Sequence, residues 1–232
     1  MNDADRVITK LNCFYLYGMT ATPKRKNNDE KLIYVYIGNI IYEMTQKEMM
    51  ESGNKKAEIN IRDTNLFVPY DYKIDHYETV SQILIFDTNR NNLILKDIEE
   101  NISRFKSILI LTERKAHVNV LNLYLKEKYE TIAISGDDSE RSRKSKLEQI
   151  EQGHFQINLS TGQYFGEGID ISALECLFIV YPFAFEGKLV QYIGRIQRSG
   201  KPPVIFDYRD AKIDYFEKMF KQRNKYYNKL RK

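Results

Sequence analysis

The amino-acid sequence predicts an α/β protein with a central, mostly parallel sheet between two layers of helices. Two observations lead to this fold class. From about residue 76, short apolar runs of strand length alternate with longer segments that show helical spacing of apolar residues. The short runs are apolar throughout, which is typical of strands buried on both faces. Strands that alternate with helices favour parallel pairing.

The elements can be assigned in order along the chain. The continuous apolar runs predict strands at 107–112, 131–135, 156–161, 175–182 and 204–208. Helical spacing predicts helices at 116–128, from a cap at Ser139 to Ile150, at 188–197, and from about Lys212 onward. Ligands of parallel sheets bind at the carboxyl ends of the strands, so the loops that follow these strands are the expected site.

The first 75 residues are less regular. Residues Cys13–Gly18 form an aromatic-rich apolar run, which predicts a buried strand that ends before Pro23. This strand is either an edge strand of the sheet that follows or the remnant of a preceding domain. Residues 26–75 begin with a charged loop and continue as short apolar stretches, which predicts a connecting segment.

Composition narrows the class of protein. With 42% hydrophobic and 29% charged residues, the 232-residue chain can bury the core of a globular domain. No apolar run approaches the roughly 20 residues that span a membrane, and the N-terminal sequence lacks the layout of a secretory signal. Cys13 and Cys176 lie in apolar runs and are predicted to be buried free thiols. We therefore expect a cytoplasmic protein with no membrane partner.

Positive charge is concentrated at the C-terminus. The net charge is +4, from 36 basic and 32 acidic residues. Residues 212–232 contain eight Lys or Arg residues against Asp214 and Glu217, a net charge of +6, which leaves −2 for the rest of the chain. This basic helix is either a phosphate-binding face or a solvated helix with a frayed end.

Several catalytic signatures are absent from the sequence. It contains no G-x-x-x-x-G-K-[S/T] loop and no Asp-Glu pair after an apolar strand. His76, His117 and His154 have no cysteine or carboxylate at metal-ligand spacing, so no metal site is predicted. No serine lies in a nucleophile elbow. The sequence therefore does not predict a self-contained NTPase, metalloenzyme or hydrolase.

A helix near the C-terminus carries two arginines and a glutamine on one face. Gln191, Arg195 and Arg198 are spaced by four and three residues. The apolar residues that can turn toward the core are Tyr192, Ile193 and Ile196. Two guanidinium groups on one helical turn repel each other. They suit the binding of a phosphate-containing anion, because its oxygens accept hydrogen bonds from both groups. The alternative is an exposed basic helix face.

A glycine-rich loop follows the strand at 156–161. Residues 160–170 contain three glycines and two hydroxyl residues, whose N–H and O–H groups can donate to phosphate oxygens. Asp170 can accept from a ribose hydroxyl or from an arginine. The alternative is a flexible loop with Asp170 as a helix cap.

The order of these segments resembles the C-terminal half of a superfamily 2 helicase of the DEAD/DEAH type. Gly18–Pro23 resembles motif III, and Ile108–Thr112 with Glu113-Arg114 resembles motif IV. Residues 160–170 resemble motif V, and Gln191–Arg198 resembles motif VI, Q-x-x-G-R-x-x-R.

Two further stretches extend the resemblance. Residues 134–153 are similar to the HG…R…F…G stretch of the second motor domain, and Phe206–Asp210 is similar to helicases of the bacterial type III restriction and DNA-repair branches. Motifs I and II of the family are missing from the sequence.

The resemblance implies a domain organisation. Residues 76–210 would form the second RecA-like domain, a three-layer α/β fold. Residues 1–25 would be the end of the first RecA-like domain, residues 26–75 a connecting segment, and residues 211–232 a basic C-terminal helix.

The resemblance also implies an ATP-facing set of residues. Arg195 and Arg198 would be arginine fingers that neutralise charge on the γ-phosphate, and Gln191 would orient the water or the phosphate. Gly168 and Asp170 would contact ATP together with the two arginines. ATP and Mg²⁺ would be bound mainly by the first RecA-like domain of the same parent protein.

A second set would contact nucleic acid, with DNA favoured over RNA. Thr112, Arg114 and Thr161 would touch the phosphate backbone without reading its sequence. Thr20 and Thr22 would couple the state of ATP to the position of the strand.

The implied function is the second motor domain of an ATP-dependent helicase or translocase, inactive alone because the P-loop and DE-x-x motifs are absent. One alternative is a degenerate helicase-like module that binds nucleic acid or a protein partner without catalysis. The intact set of Gln191, Arg195 and Arg198 argues against it. Another alternative, a flavodoxin-like binding domain, leaves the arginine pair and Thr20–Pro23 unexplained.

Overall fold

The computed structural model divides the chain into two units, Met1–Ser52 and Gly53–Lys232. The residues that it describes are 10–11, 13–20, 30–44, 48, 55–162, 174–184, 186–196 and 201–231. The first unit contains a short helix, α1, at Glu30–Tyr36. Residues Cys13–Gly18 do not form the predicted strand, and Cys13 is exposed rather than buried. A strand requires a hydrogen-bonded partner, and none of the described strands pairs with these residues.

The described part of the second unit contains six strands and six α-helices. They are β1 Glu58–Asp63, α2 Tyr77–Phe86, α3 Thr88–Asn101, β2 Ile108–Thr112, α4 Lys115–Leu125, β3 Thr131–Ile134, α5 Glu140–Glu151, β4 Ile157–Thr161, β5 Cys176–Ile179, α6 Glu186–Ile196, β6 Val204–Arg209 and α7 Asp214–Arg231. The strands form one sheet in the order β1-β6-β5-β2-β4-β3, and all pairs are parallel. The predicted α/β fold is confirmed.

The predicted elements from residue 107 onward are found with small shifts at their ends. The Ser139 hydroxyl oxygen accepts from the backbone N–H of Ser142, at 3.2 Å, and caps α5 as expected. Strand β1 was not predicted from the sequence. It lies within residues 26–75, which were predicted to form a connecting segment. It pairs with β6 in register from Glu58↔Val204 to Asp63↔Arg209.

Helices cover both faces of the sheet, which gives the predicted three layers. One face packs against α5, α6 and α7 through residues that include Leu109, Leu177, Ile205, Ile150, Leu189 and Tyr227. The other face packs against α3 and α4 through residues that include Ile110, Phe178, Phe206, Ile94, Val118 and Leu121. Neighbouring strand residues thus bury their side chains in opposite layers. Cys176 is buried as predicted, and burial raises the pKa of its thiol.

An ion pair buried under one face fixes the C-terminal helix. The guanidinium group of Arg223 on α7 donates two 2.8 Å hydrogen bonds to the Asp207 carboxylate on β6. It also donates to the carbonyl oxygen of Phe183, and the Tyr227 hydroxyl donates to Asp207 at 2.6 Å. The basic helix is therefore anchored to the sheet on one side. The lysines on its exposed side are Lys218, Lys221, Lys225 and Lys229.

A second buried ion pair joins α3 to the carboxyl end of β6. The Arg90 guanidinium donates to both carboxylate oxygens of Asp210, at 2.9 and 3.2 Å. Thr64 directly follows β1, and its hydroxyl donates to the same carboxylate at 2.6 Å. Because Asp210 receives hydrogen bonds from both, it connects the edge strand and the helical layer.

His117 on α4 connects three elements through its two ring nitrogens. Nδ1 lies 3.2 Å from the Thr112 hydroxyl oxygen at the end of β2, and Nε2 lies 3.2 Å from Asn91 Oδ1 on α3. The ring is fully buried. Burial first, and the positive charge of Arg90 second, hold the pKa of His117 well below its ordinary value of 6.5. The imidazole is therefore neutral in the folded chain.

Among the helices formed by described residues, none combines the length and the apolar character needed to cross a membrane.

Replacing Arg223 with methionine would leave the Asp207 carboxylate buried without its guanidinium partner. We expect the free energy of unfolding to fall by about 3–5 kcal/mol, the usual cost of breaking a buried ion pair. Urea unfolding followed by circular dichroism measures the change. Arg231→Met, at the exposed end of the same helix, is the matched control and should change stability little. Equal losses for the two variants would contradict the anchoring role of the pair.

His117 should make stability depend on pH in the mildly acidic range. Below pH 6.5 the unfolded chain protonates this histidine whereas the folded chain does not. Because the unfolded state then binds more protons, the free energy of unfolding decreases as the pH is lowered. We expect His117 to lower the free energy of unfolding by about 1 kcal/mol as the pH falls from 6.5 to roughly 5.5. Urea titrations across this range should show a flatter profile for His117→Gln. His154→Gln, at an exposed histidine, is the control, and an unchanged slope in His117→Gln would refute the assignment.

Candidate functional site

Two of the predicted nucleic-acid contacts lie side by side at the carboxyl edge of the sheet. Thr112 ends β2, Thr161 ends β4, and the two residues are paired in register. Both are largely buried, at 2% and 8% exposure. The Thr112 hydroxyl oxygen also accepts from the backbone N–H of Arg114, at 3.3 Å, besides its contact with His117. The hydroxyl thus shapes the loop after β2, and its contact with phosphate stays a prediction.

Arg114 extends from this loop along the same edge. Its guanidinium group lies 3.2 Å from the Glu78 carboxylate, donates from Nε to the Tyr181 hydroxyl at 3.4 Å, and stacks 5.4 Å from the centre of the Tyr77 ring. Partial burial opposes the charge, but Tyr181 and Glu78 outweigh it, and the pKa of Arg114 is raised. About one third of the side chain is exposed. Arg114 is therefore a positioned, charged donor two residues beyond Thr112.

Tyr181 is a site residue that sequence reasoning missed. It follows β5 at the carboxyl edge, and its hydroxyl donates to Ser81 at 2.7 Å and lies 3.0 Å from the Tyr77 hydroxyl. Burial, and then the hydrogen bond with Tyr181, raise the pKa of Tyr77 well above its ordinary value, so this phenol stays neutral. The position of Tyr181 two residues after an apolar strand, at the carboxyl edge, is the signal that could have identified it.

Helix α6 carries two of the predicted ATP-facing residues, Gln191 and Arg195. Gln191 is exposed and Arg195 is half-buried. The side that was predicted to face the core does so, since Tyr192, Ile193 and Ile196 are almost fully buried. An amide and a guanidinium group donate hydrogen bonds, so this chemistry fits phosphate oxygens.

Close packing ties α6 to the carboxyl ends of β2 and β4. Lys188 Nζ on α6 lies 2.7 Å from the Glu113 carboxylate, which follows β2. Gly162 directly follows β4, and a Cβ atom there would collide with the Tyr192 hydroxyl and lie 2.8 Å from Glu113 Oε1. A side chain at this position would therefore force the Tyr192 hydroxyl and the Glu113 carboxylate to shift. As a result, α6 and the strand ends that carry Thr112 and Thr161 are packed against each other.

Several predicted site residues fall outside the described part of the chain: Thr22, Gly168, Asp170 and Arg198. Thr20 is an exposed residue of the first unit. No group of three or more His, Cys, Asp or Glu side chains that could hold a metal ion occurs among the described residues.

Several viral proteins are similar to this chain in sequence. A protein of Acanthamoeba polyphaga mimivirus named "Putative ATP-dependent RNA helicase" is 26% identical over 239 residues, which cover 96% of this chain and 43% of the relative. A transcript termination protein of Yaba-like disease virus is 25% identical over 211 residues, which cover 83% of this chain and 42% of the relative. The chain thus spans about two fifths of the length of these relatives.

Solved structures share the fold at low sequence identity. The C-terminal domain of the DEAD-box protein Dbp5 aligns with a TM-score of 0.57 and 15% identity, over 76% of this chain and 87% of that domain. Saccharomyces cerevisiae Dbp5 bound to RNA and ADP BeF3 aligns with a TM-score of 0.60 and 16% identity, over 92% of this chain and 54% of Dbp5. These alignments confirm the RecA-like α/β fold.

The model of the helicase conserved C-terminal domain matches residues 75–200, more than half of the chain. That range contains the two paired threonines, Arg114 and helix α6. The chain belongs to the helicase conserved C-terminal domain family, in agreement with the resemblance of its motifs to superfamily 2 helicases.

Proposed function

We propose that this chain is the second motor domain of an ATP-dependent RNA helicase or translocase. The observation that carries the proposal is the packing at the carboxyl edge. Thr112 and Thr161 lie beside one another there, with Arg114 two residues beyond Thr112, and α6 packs against these strand ends through Glu113 and Gly162. Residues that would contact a nucleic-acid backbone and a helix that would respond to ATP thus form one packed structure. A movement of either part is transmitted to the other through these contacts.

We propose RNA as the strand, in place of the DNA that the sequence favoured. The mimivirus relative is named as an RNA helicase, and the poxvirus relatives are named as transcript termination proteins. These names also give no support to a role in DNA repair, which the similarity of Phe206–Asp210 to DNA-repair helicases would imply. The similarity of Phe206–Asp210 to type III restriction helicases stays a prediction. Backbone contacts made without base readout suit a motor that acts on strands of any sequence.

ATP would be bound by a P-loop on another RecA-like domain, which would also hold most of the Mg²⁺ contacts. Closure of that domain on α6 would bring Arg195 and Arg198 to the γ-phosphate and Gln191 to the attacking water. Gly168 and Asp170 would approach the nucleotide from the loop after β4. On this proposal the chain alone does not hydrolyse ATP, because a P-loop is absent from its sequence.

The first unit exposes aromatic residues that suit contact with another part of the parent protein. Its aromatic segment is exposed to an unusual degree, with 96% of Phe14 and 73% of both Tyr15 and Tyr17 accessible. Adjacent exposed aromatic residues usually mark an interface. We propose that residues 1–25 are the end of the first RecA-like domain of the same parent protein and that these aromatic residues pack against the rest of that domain. Thr20 and Thr22 would couple the two domains there.

Arg114→Gln should weaken the binding of the chain to single-stranded RNA in a salt-dependent manner. Each phosphate contact on a single strand contributes about −0.7 to the slope of log K against log salt, so the variant should lose about that much slope. Fluorescence anisotropy with labelled oligoribonucleotides at several salt concentrations measures it.

Arg104 offers a matched control for Arg114. It pairs with Glu58 and stacks 5.2 Å from the Phe105 ring, but it precedes β2 and so lies toward the opposite, amino edge of the sheet. Arg104→Gln should leave the salt slope unchanged. Equal slopes for the two variants would contradict RNA binding at the carboxyl edge.

Arg195→Ala and Arg198→Ala should each lower the RNA-stimulated turnover of the parent protein by at least about a hundredfold, with little change in KM for ATP. An arginine finger acts mainly in the transition state, so its loss appears in kcat. Steady-state ATPase assays measure both constants, with Arg231→Ala as the control on α7. A near-normal kcat in both variants would contradict the proposal that these two arginines act as arginine fingers.

A further inference from the structure

A cleft rich in tyrosine lies where the segment after β1 meets the start of α7. It has a volume of about 420 Å³. We call it the tyrosine cleft and define it by Tyr70, Tyr72, Tyr215, Lys73 and Lys218. Tyr72 stacks on Tyr215 with ring centres 6.0 Å apart and planes 24° apart, and Lys218 Nζ lies 5.3 Å from the centre of the Tyr72 ring. Despite both contacts, 52% of Tyr72 remains exposed.

Backbone hydrogen bonds preorganise the turn that presents Tyr72. The backbone N–H groups of Ile74 and Asp75 donate to the Asp71 carbonyl oxygen, at 3.0 and 2.8 Å. The Asp71 carboxylate accepts from the N–H of Lys73 at 2.9 Å, and the Asp75 carboxylate accepts from the N–H of Asp71 at 2.7 Å. These two carboxylates therefore stabilise the turn itself. A ring held in this way loses little conformational entropy when a ligand stacks on it.

The tyrosine cleft is continuous with Arg114. The Arg114 guanidinium lies 5.4 Å from the Tyr77 ring, the Tyr77 ring lies 5.8 Å from that of Tyr215, and Tyr215 stacks on Tyr72. All of these residues lie at the carboxyl edge, because Tyr72 follows β1 and Tyr215 follows β6. A row of aromatic rings thus leads along this edge from the positioned arginine to an exposed tyrosine between two lysines.

We propose that the tyrosine cleft binds one base of the RNA strand that Arg114 contacts, with Lys73 and Lys218 beside the adjoining phosphate. The proposal rests on the proposed function and extends the RNA path beyond the helicase motifs. An exposed ring offers a stacking surface to any base, and nearby ammonium groups attract the backbone. Asp214 is the remaining carboxylate of the cleft, and it lies in the first turn of α7, where the positive end of the helix dipole offsets its charge.

The test uses the full 232-residue chain and short polyuridine strands that each carry one 2-aminopurine at a different position. Anisotropy at low salt measures affinity, and 2-aminopurine emission reports stacking. We expect Tyr72→Ala to weaken binding by at least about fivefold, the effect of losing one weak base stack. It should also abolish the quenching seen at one position of the series. Tyr72→Phe keeps the ring and should retain both.

Tyr124→Ala is the matched control, because Tyr124 is similarly exposed, at 59%, but lies on α4 outside the cleft. It should bind as the wild-type chain does. If Arg114→Gln weakens binding while Tyr72→Ala matches the wild type in affinity and quenching, the proposed function stands and the cleft has another ligand, such as a protein. If the wild-type chain binds no RNA at low salt, the proposed function fails and this inference fails with it.

Discussion

The common direction of the six strands is the constraint on which the rest of this structure depends. Every pair in the described sheet is parallel, so all carboxyl ends meet at one edge. Residues far apart in the sequence therefore become neighbours there, as Thr112 and Thr161 do in register. Helices must return the chain to the opposite edge after most strands, and these helices cover the two faces. The same geometry builds the core and assembles the site.

Strands β2, β4, β5 and β6 could be predicted from the sequence because they are buried on both faces and read as continuous apolar runs. Strand β3 lies at one edge of the sheet and is half-buried, but its short apolar run still predicted it. Strand β1, at the other edge, could not be predicted, since it mixes charged with apolar residues. The burial of two arginines could not be predicted from the sequence either. Arg90 and Arg223 are typical surface residues by type, and Asp210, the partner of Arg90, lies 120 residues away in the sequence.

The candidate site could be predicted only where a short motif or a strand end marks it. Arg114 was recognised because its segment resembles motif IV, but the partners that position it come from other elements: Glu78 and Tyr77 on α2, and Tyr181 after β5. No local spacing connects these residues. The segment Cys13–Gly18 shows the converse error. Its apolar pattern is that of a strand, but a pattern does not supply a pairing partner.

The pairing of β1 with β6 has a consequence for biosynthesis. Strand β1 leaves the ribosome first, but it hydrogen-bonds to the last strand of the sheet, and Thr64 and Asp210 are 146 residues apart. Such distant contacts close a large loop and form late in folding. Until translation reaches β6, the nascent chain must therefore leave β1 unpaired. An unpaired strand can form wrong contacts with other chains, so a chaperone would be most useful to this protein during that interval.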